Sequence, residues 1–79
     1  MLDDQLRSEI GKWTEKIEEA RKNVRIDEKH RNSLKNIDAY TSDSKHFLEK
    51  GDLIRSFEAI IWAWAWIEIL KELGILKEI

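Results

Sequence analysis

A chain of 79 residues without cysteine must gain its stability from a small apolar core, because no disulfide can contribute. Its 14 basic and 16 acidic side chains give a net charge of -2, which argues against a dedicated nucleic-acid binder. The acidic start Met-Leu-Asp-Asp predicts no signal peptide, and the apolar run at 59–67 is shorter than the roughly 20 residues that span a bilayer. We therefore expect a soluble, cytoplasmic protein with no membrane contact.

The first predicted helix runs from about residue 3 to residue 23. Its apolar residues recur at steps of three and four, which is typical of a narrow seam that packs along one groove. These residues are Leu6, Ile10, Trp13, Ile17, Ala20 and Val24. Gly11 interrupts the helix at a cost of about 1 kcal/mol relative to alanine.

The boundary between the first and second helices lacks both glycine and proline, and we place it at residues 23–26. Asn23 tolerates the left-handed geometry of a helix end, and Asp27 is a suitable N-cap. A continuous helix over 3–50 would be about 70 Å long, too long for a small monomer. The second helix, over 27–50, carries one largely apolar side: Leu34, Ile37, Tyr40, Ser44, Phe47 and Leu48.

The dipeptide Gly51-Asp52 predicts the end of the second helix and the start of the third, which covers 52–73. Glycine supplies a left-handed C-cap and aspartate an N-cap, and Gly74 repeats the C-cap signal. So short a connection predicts antiparallel neighbours. No strand is predicted, because no alternating segment lies between turn residues. The sequence thus predicts an all-α, antiparallel up-and-down three-helix bundle that forms a single domain over 1–79.

The third helix is apolar on nearly every side and holds three of the four tryptophans. On a helical wheel its uncharged face predicts the core, with Trp66 and Leu73 along one flank of that face. The core positions are Ser56, Ala59, Ile60, Ala63, Ile67 and Leu70. The opposite face carries glutamates together with a second apolar set, Ile54, Ile61, Trp62, Ala65 and Ile69. Because large apolar patches are uncommon on monomers, we predict that this set is an interface with a second copy, as a homodimer, or with a protein partner.

A recurring family pattern lies in the second half of the chain. Tyr40 and Asp43 precede a Phe-Leu-x-Lys-Gly-Asp element at 47–52, and Leu73-Gly74 closes the pattern. With these motifs, residues 37–76 resemble an archaeal family called domain of unknown function 357. The family-like positions are Tyr40, Asp43, Phe47, Gly51, Asp52, Ala59, Ala63 and Gly74. Trp62 stands where the family usually has tyrosine. The resemblance implies a small antiparallel three-helix bundle and no established activity.

Asp43, His46 and Glu49 follow one another at three-residue steps on the second helix. Carboxylate-x-x-His is a pair that helical bundles use to hold metal ions. A metal site would also need matching ligands on another helix, and neither the first nor the third predicted helix contains a carboxylate-x-x-His motif. A solvated helix face explains the three residues, so we predict neither a metal site nor a cofactor. Tyr40 and Asp43 are open to a structural role or to contact with a ligand.

A basic cluster surrounds the boundary between the first two helices: Arg21, Lys22, Arg25, Lys29, Arg31 and Lys35. It could contact RNA phosphates weakly, and a solvated helix corner explains it equally well. Arg25 and His30 also have the Arg-x4-His spacing of HEPN ribonucleases, although in a chain shorter than those folds usually are. Nucleic acid is therefore not our main prediction.

The sequence contains no glycine-rich phosphate loop, and no serine has a plausible base beside it. We therefore predict a non-enzymatic protein-interaction or self-association module. The alternatives are a small metal- or ligand-binding bundle centred on the second helix, and a weak RNA binder.

Overall fold

A computed structural model describes residues 1–78 as three long helices and one short antiparallel ribbon. The third helix packs against both the first and the second. This arrangement confirms the predicted all-α bundle. In chain order the elements are α1 (Leu2–Lys22), β1 (Val24–Ile26), α2 (Arg31–Glu49), α3 (Leu53–Glu72) and β2 (Leu76–Glu78).

The core lies along one face of α3, as the helical wheel predicts. Ile60 and Ala63 are fully buried and contact apolar residues of the other two helices, including Ile17 and Ile37. Small side chains on α3 let both neighbours approach its backbone closely. All six predicted core positions are buried: Ser56, Ala59, Ile60, Ala63, Ile67 and Leu70.

Ser44 and Ser56 join α2 to α3 inside this core, and both are fully buried. The Ser44 hydroxyl donates to the carbonyl oxygen of Ser56 at 2.8 Å, and the Ser56 hydroxyl donates to the carbonyl oxygen of Ser44 at 2.8 Å. Each hydroxyl has one proton, so this reciprocal arrangement satisfies both donors. Both hydroxyl groups are thereby buried with their hydrogens paired. A buried hydroxyl left without a partner would destabilise the core by about 1–3 kcal/mol.

Both predicted glycine caps have the expected left-handed backbone, with φ of 78° at Gly51 and 73° at Gly74. After α2, the amide of Gly51 donates to Leu48 and the amide of Asp52 to Phe47, which is a Schellman motif. The Asp52 carboxylate then accepts a hydrogen bond from the Arg55 amide at 3.2 Å and caps α3. The predicted end of α2 and the predicted start of α3 are therefore confirmed.

The start of the second helix was predicted four residues too early. The break does begin at Asn23, but β1 and a 3₁₀ turn at Glu28–His30 precede α2. Asp27 stands before that turn, and its side chain makes no capping hydrogen bond. The expected absence of strands is wrong for the same segment.

The ribbon pairs β1 with β2 in the register Val24–Glu78, Arg25–Lys77 and Ile26–Leu76. Leu76 is buried against the main core, and Val24 and Ile26 pack beside it half-buried. Arg25 and Lys77 alternate to the other side and are exposed. The ribbon therefore closes one end of the bundle with apolar side chains drawn from two distant parts of the chain.

Two of the exposed glycines, Gly11 and Gly51, should respond oppositely to alanine. An added Cβ meets no atom within 4 Å at either site, but only Gly51 has a positive φ. Gly11→Ala should stabilise the chain by about 0.5–1 kcal/mol, because alanine is the better helix former. Gly51→Ala should destabilise it by about 1 kcal/mol, because the left-handed backbone strains a Cβ. Urea unfolding followed by circular dichroism measures both, and a loss of stability in Gly11→Ala would contradict the first expectation.

Candidate functional site

The surface of α3 that faces away from the core carries several exposed apolar side chains. Its side chains point into solvent, with exposed fractions of 65% at Ile54, 55% at Trp62 and 42% at Ile69. Ile61 and Ala65 lie between them and are half-buried. The structure thus brings all five predicted interface residues onto one face, where no part of residues 1–78 covers them fully. Their role as an interface stays a prediction.

A shallow groove of about 320 Å³ crosses this face. Its walls are almost entirely apolar, and Trp62 forms one side of it. The Trp62 ring stacks on the Tyr40 ring of α2, with centroids 6.4 Å apart and planes inclined by 21°. One face of the indole is thereby held against α2, while more than half of its surface stays open. The lining residues are Phe57, Glu58, Ile61, Trp62 and Ala65.

Acidic side chains interrupt the apolar surface at Glu58, Glu68 and Glu72, all exposed. None of these three forms an ion pair within residues 1–78. Arg55 lies at the N-terminal end of the same helix, with its Nε 3.7 Å from a carboxylate oxygen of Asp52. So long and exposed a contact contributes little, which leaves Arg55 able to meet another acidic group.

Trp66 and Leu73 belong to the exposed surface rather than to the flank of the core. Leu73 is 66% exposed and Trp66 is 36% exposed, so the prediction that they border the buried face is wrong for Leu73 and only partly right for Trp66. Both lie beside Trp62 and Ile69 on a helical wheel, at about 100° per residue. The wheel positions alone could have placed them with the outer apolar set.

The three metal candidates all lie on α2. Asp43, His46 and Glu49 are all exposed. Over residues 1–78, no group of three His, Asp or Glu side chains lies close enough together to hold a metal ion. No other helix adds ligands to them, so the geometry gives no support to a metal site here.

Tyr40 and Asp43 take different surroundings despite their spacing of three residues. The Tyr40 ring packs against the hydrophobic core and stacks on Trp62. Asp43 is exposed. Tyr40 therefore has a packing role that also shapes the border of the outer α3 face, whereas Asp43 faces solvent.

Half of the basic cluster is paired with acidic groups. Arg21 binds Asp38 of α2 through two hydrogen bonds, of 2.9 and 3.1 Å, and this hydrogen bonding raises the pKa of Arg21 above its ordinary value. The Arg31 guanidinium lies 2.6 Å from a carboxylate oxygen of Glu28, and the Lys22 ammonium lies 3.6 Å from a carboxylate oxygen of Glu19. The remaining three, Arg25, Lys29 and Lys35, are exposed.

The Arg-x4-His spacing does not fall on one helix. Arg25 is on β1, and His30 ends the 3₁₀ turn with its Nδ1 buried and without a hydrogen-bond partner. The basic cluster is therefore divided among α1, β1, the 3₁₀ turn and α2 rather than lying on one helix.

A second groove lies between α1 and α3, beside the ribbon, and its charged lining residues are Lys12, Glu15, Lys16, Glu19, Lys71 and Glu78. Trp13 and Trp64 meet there with ring centroids 5.4 Å apart, and the Lys16 ammonium lies 4.7 Å from the Trp13 centroid. The Lys71 ammonium donates to the Glu78 carboxylate at 2.5 Å. This hydrogen bond, with the attraction between the two charges, lowers the pKa of Glu78 below its ordinary value of 4.5. Acidic and basic groups alternate around the groove, so it has no preference for one sign of ligand charge.

The sequence matches the family described as Protein of unknown function (DUF357) over residues 10–76. A crystal structure of a protein from Archaeoglobus fulgidus, assigned to the same family, matches with a TM-score of 0.92 and 51% sequence identity over the full length of both chains. No curated protein matches the chain. Among residues 1–78, no helix is long and apolar enough to cross a membrane.

The Lys71–Glu78 pair gives the ribbon a pH dependence. Because folding lowers the pKa of Glu78, the pair stabilises the ribbon fully above pH 4.5, and this contribution is lost as the pH falls through the lower, folded-state value. Lys71→Met should return the pKa of Glu78 to about 4.5, as measured by the ¹³C shift of its carboxyl group during a pH titration. Lys77→Met is the matched control, because Lys77 points to the opposite side of the ribbon. An unchanged titration in Lys71→Met would contradict the assignment.

Proposed function

Because the chain belongs to the DUF357 family of proteins of unknown function, whose name carries no activity, we propose a function from its surface. The protein is a non-enzymatic helical module that associates with protein through the outer face of α3. Its expected partner is a second copy of itself. We define the outer face by the residues Ile54, Ile61, Trp62, Ala65 and Ile69.

The exposure of Ile54, Trp62 and Ile69 on one side of a single helix carries this proposal. The core is complete without them, because α3 already meets α1 and α2 through its small-residue face. Their apolar atoms face water in the single chain and would be stabilised by burial, at roughly 25 cal/mol for each Å² removed from water. An apolar face of this kind, interrupted by acidic groups, is typical of a surface that binds protein.

The arrangement of neighbouring groups favours association over catalysis. The glutamates of the outer face stand apart along α3, and within residues 1–78 no three His, Asp or Glu side chains form a group that could hold a metal ion. The groove along Trp62 is open and apolar, so it can accept the side chains of another helix. Packing of this type needs shape and apolar area rather than a reactive group.

Association through the outer face can be measured by sedimentation of the purified chain up to high micromolar concentration. We expect a reversible dimer, and we expect Ile69→Glu to weaken it at least tenfold, because a charge would be buried in the contact. Leu2→Glu is the matched control, since Leu2 is 69% exposed but lies at the start of α1. Circular dichroism should show that both variants remain folded.

A chain that stays monomeric throughout this concentration range would contradict the proposed self-association. Equal weakening by Leu2→Glu and Ile69→Glu would place the contact elsewhere and would remove the outer face from the proposal.

A further inference from the structure

The exposed surface of α3 contains a continuous seam with the spacing of a coiled coil. Six residues recur at steps of three, four, three, four and three, which keeps them along one line that faces a partner helix. Its first and last residues carry opposite charges, a second acidic residue follows the first, and the three residues in the centre are apolar. From N- to C-terminus the seam, called here the α3 seam, is Arg55, Glu58, Trp62, Ala65, Ile69 and Glu72.

All of the seam is accessible in the single chain. Its residues are exposed except Ala65, which is half-buried beside Trp62. Arg55 and Glu72 are 17 residues apart on the same helix, a separation of about 25 Å, so they cannot contact each other within one chain. Their opposite charges can meet only through a second molecule.

The charge order along the seam distinguishes the two ways in which identical helices can pack. In a parallel pair in register, every residue faces its own equivalent, so Arg55 would face Arg55, and Glu58 and Glu72 would face their own copies. Like charges directly opposite each other are destabilising. In an antiparallel pair, a two-fold axis can cross α3 at the level midway between Ala63 and Trp64 along the helix. Arg55 then faces Glu72 of the second copy. The opposing charges then attract at both ends of the contact.

The apolar layers fit the same register. Trp62 faces Ala65 of the second copy, so a large side chain meets a small one on each side of the axis. Ile69 faces Glu58 of the second copy, and the length of a glutamate lets its carboxylate reach solvent at the rim. Ile54 and Ile61 flank the seam and extend the apolar contact.

We infer that two copies of this chain pair through antiparallel α3 helices, with Arg55 of each bound to Glu72 of the other. The inference rests on the proposed self-association and adds its geometry. The two-fold axis makes the contact isologous, so one ion pair forms at each end and the assembly closes as a dimer. The charged ends select the antiparallel register, and the Trp62–Ala65 layers supply the buried centre.

Exchange of the two charges tests the pairing directly. Arg55→Glu places glutamate opposite Glu72, and Glu72→Arg places arginine opposite Arg55, so each single variant should weaken dimerisation about tenfold. The double variant Arg55→Glu/Glu72→Arg restores opposite charges at both ends. Its dimerisation should return to within about threefold of the unmodified chain. Glu18→Arg, on the exposed side of α1, is the control for changed net charge.

We expect the charge variants to remain folded, because both substitutions suit the helix dipole at the ends of α3 and the Arg55–Asp52 contact that is lost is long and exposed. Arg55 lies in the first turn of the helix, where the helix dipole favours an acidic group, and Glu72 is the last helical residue, where it favours a basic one. Thermal melts of the three variants at low concentration should therefore match or exceed the unmodified chain.

Disulfide formation gives an independent measurement of the register, since the natural chain has no cysteine. Positions 58 and 69 lie opposite each other in the antiparallel pair. A mixture of the single variants Glu58→Cys and Ile69→Cys should therefore cross-link. Either protein alone should not, because its two cysteines would be offset by 11 residues, or about 16 Å along the axis, beyond disulfide reach. Rapid cross-linking of Glu58→Cys alone would indicate the parallel arrangement and overturn the inference.

The outcomes separate the register from the self-association on which it depends. A dimer that is lost in Ile69→Glu but not restored by the double charge exchange overturns the register and leaves the association intact. A chain that is monomeric at every concentration overturns both. Loss in each single charge variant, recovery in the double variant and cross-linking only in the mixture support the antiparallel pair.

Discussion

The structure depends on the requirement that one helix, α3, fill the space between two others. Its buried face is built from small residues alternating with isoleucine and leucine, which lets α1 and α2 approach its backbone together. Ser44 and Ser56 show how closely this is done, because each hydroxyl reaches the backbone carbonyl of the neighbouring helix at 2.8 Å. A larger side chain at either position would force the helices apart and leave buried polar groups unpaired.

The small-residue composition of the buried face explains why the large side chains of α3 lie outside that face. A narrow face of serine, alanine and isoleucine has no room for tryptophan, so the indoles occupy the sides and the outside of the helix. Trp64 meets Trp13 in the groove toward α1, and Trp62 stacks on Tyr40 toward α2. Both contacts extend the core laterally, but neither covers the outermost residues Ile54 and Ile69. The apolar outer face thus follows from packing constraints inside the bundle. The order of charges along that face distinguishes its N-terminal from its C-terminal end.

The sequence predicted the helical parts well because their signals are local. Helical periodicity identified the core of α3, and the glycines with positive φ were located from residue type and spacing alone. The outer face was predicted for the same reason, since positions on one helix are fixed by an angle of about 100° per residue. Leu73 was misplaced because the predicted core sector was drawn too wide, although its own wheel position lies beside Trp62 and Ile69. The basic cluster could not be judged from sequence, since the Arg21–Asp38 pair joins residues from two helices.

By itself, the sequence determined the helical class, the caps at Gly51 and Gly74, the buried side of α3 and the composition of its outer face. All of these follow from interactions within a few residues of one another along the chain. Only the tertiary structure decided that 24–26 and 76–78 are strands, because three residues are too few for a period of two to be visible. The two strands lie some 50 residues apart in the sequence. Each has its backbone hydrogen bonds only because the helices bring the two segments together. The tertiary structure also places Lys71 against Glu78 and Tyr40 against Trp62, contacts that no local pattern encodes.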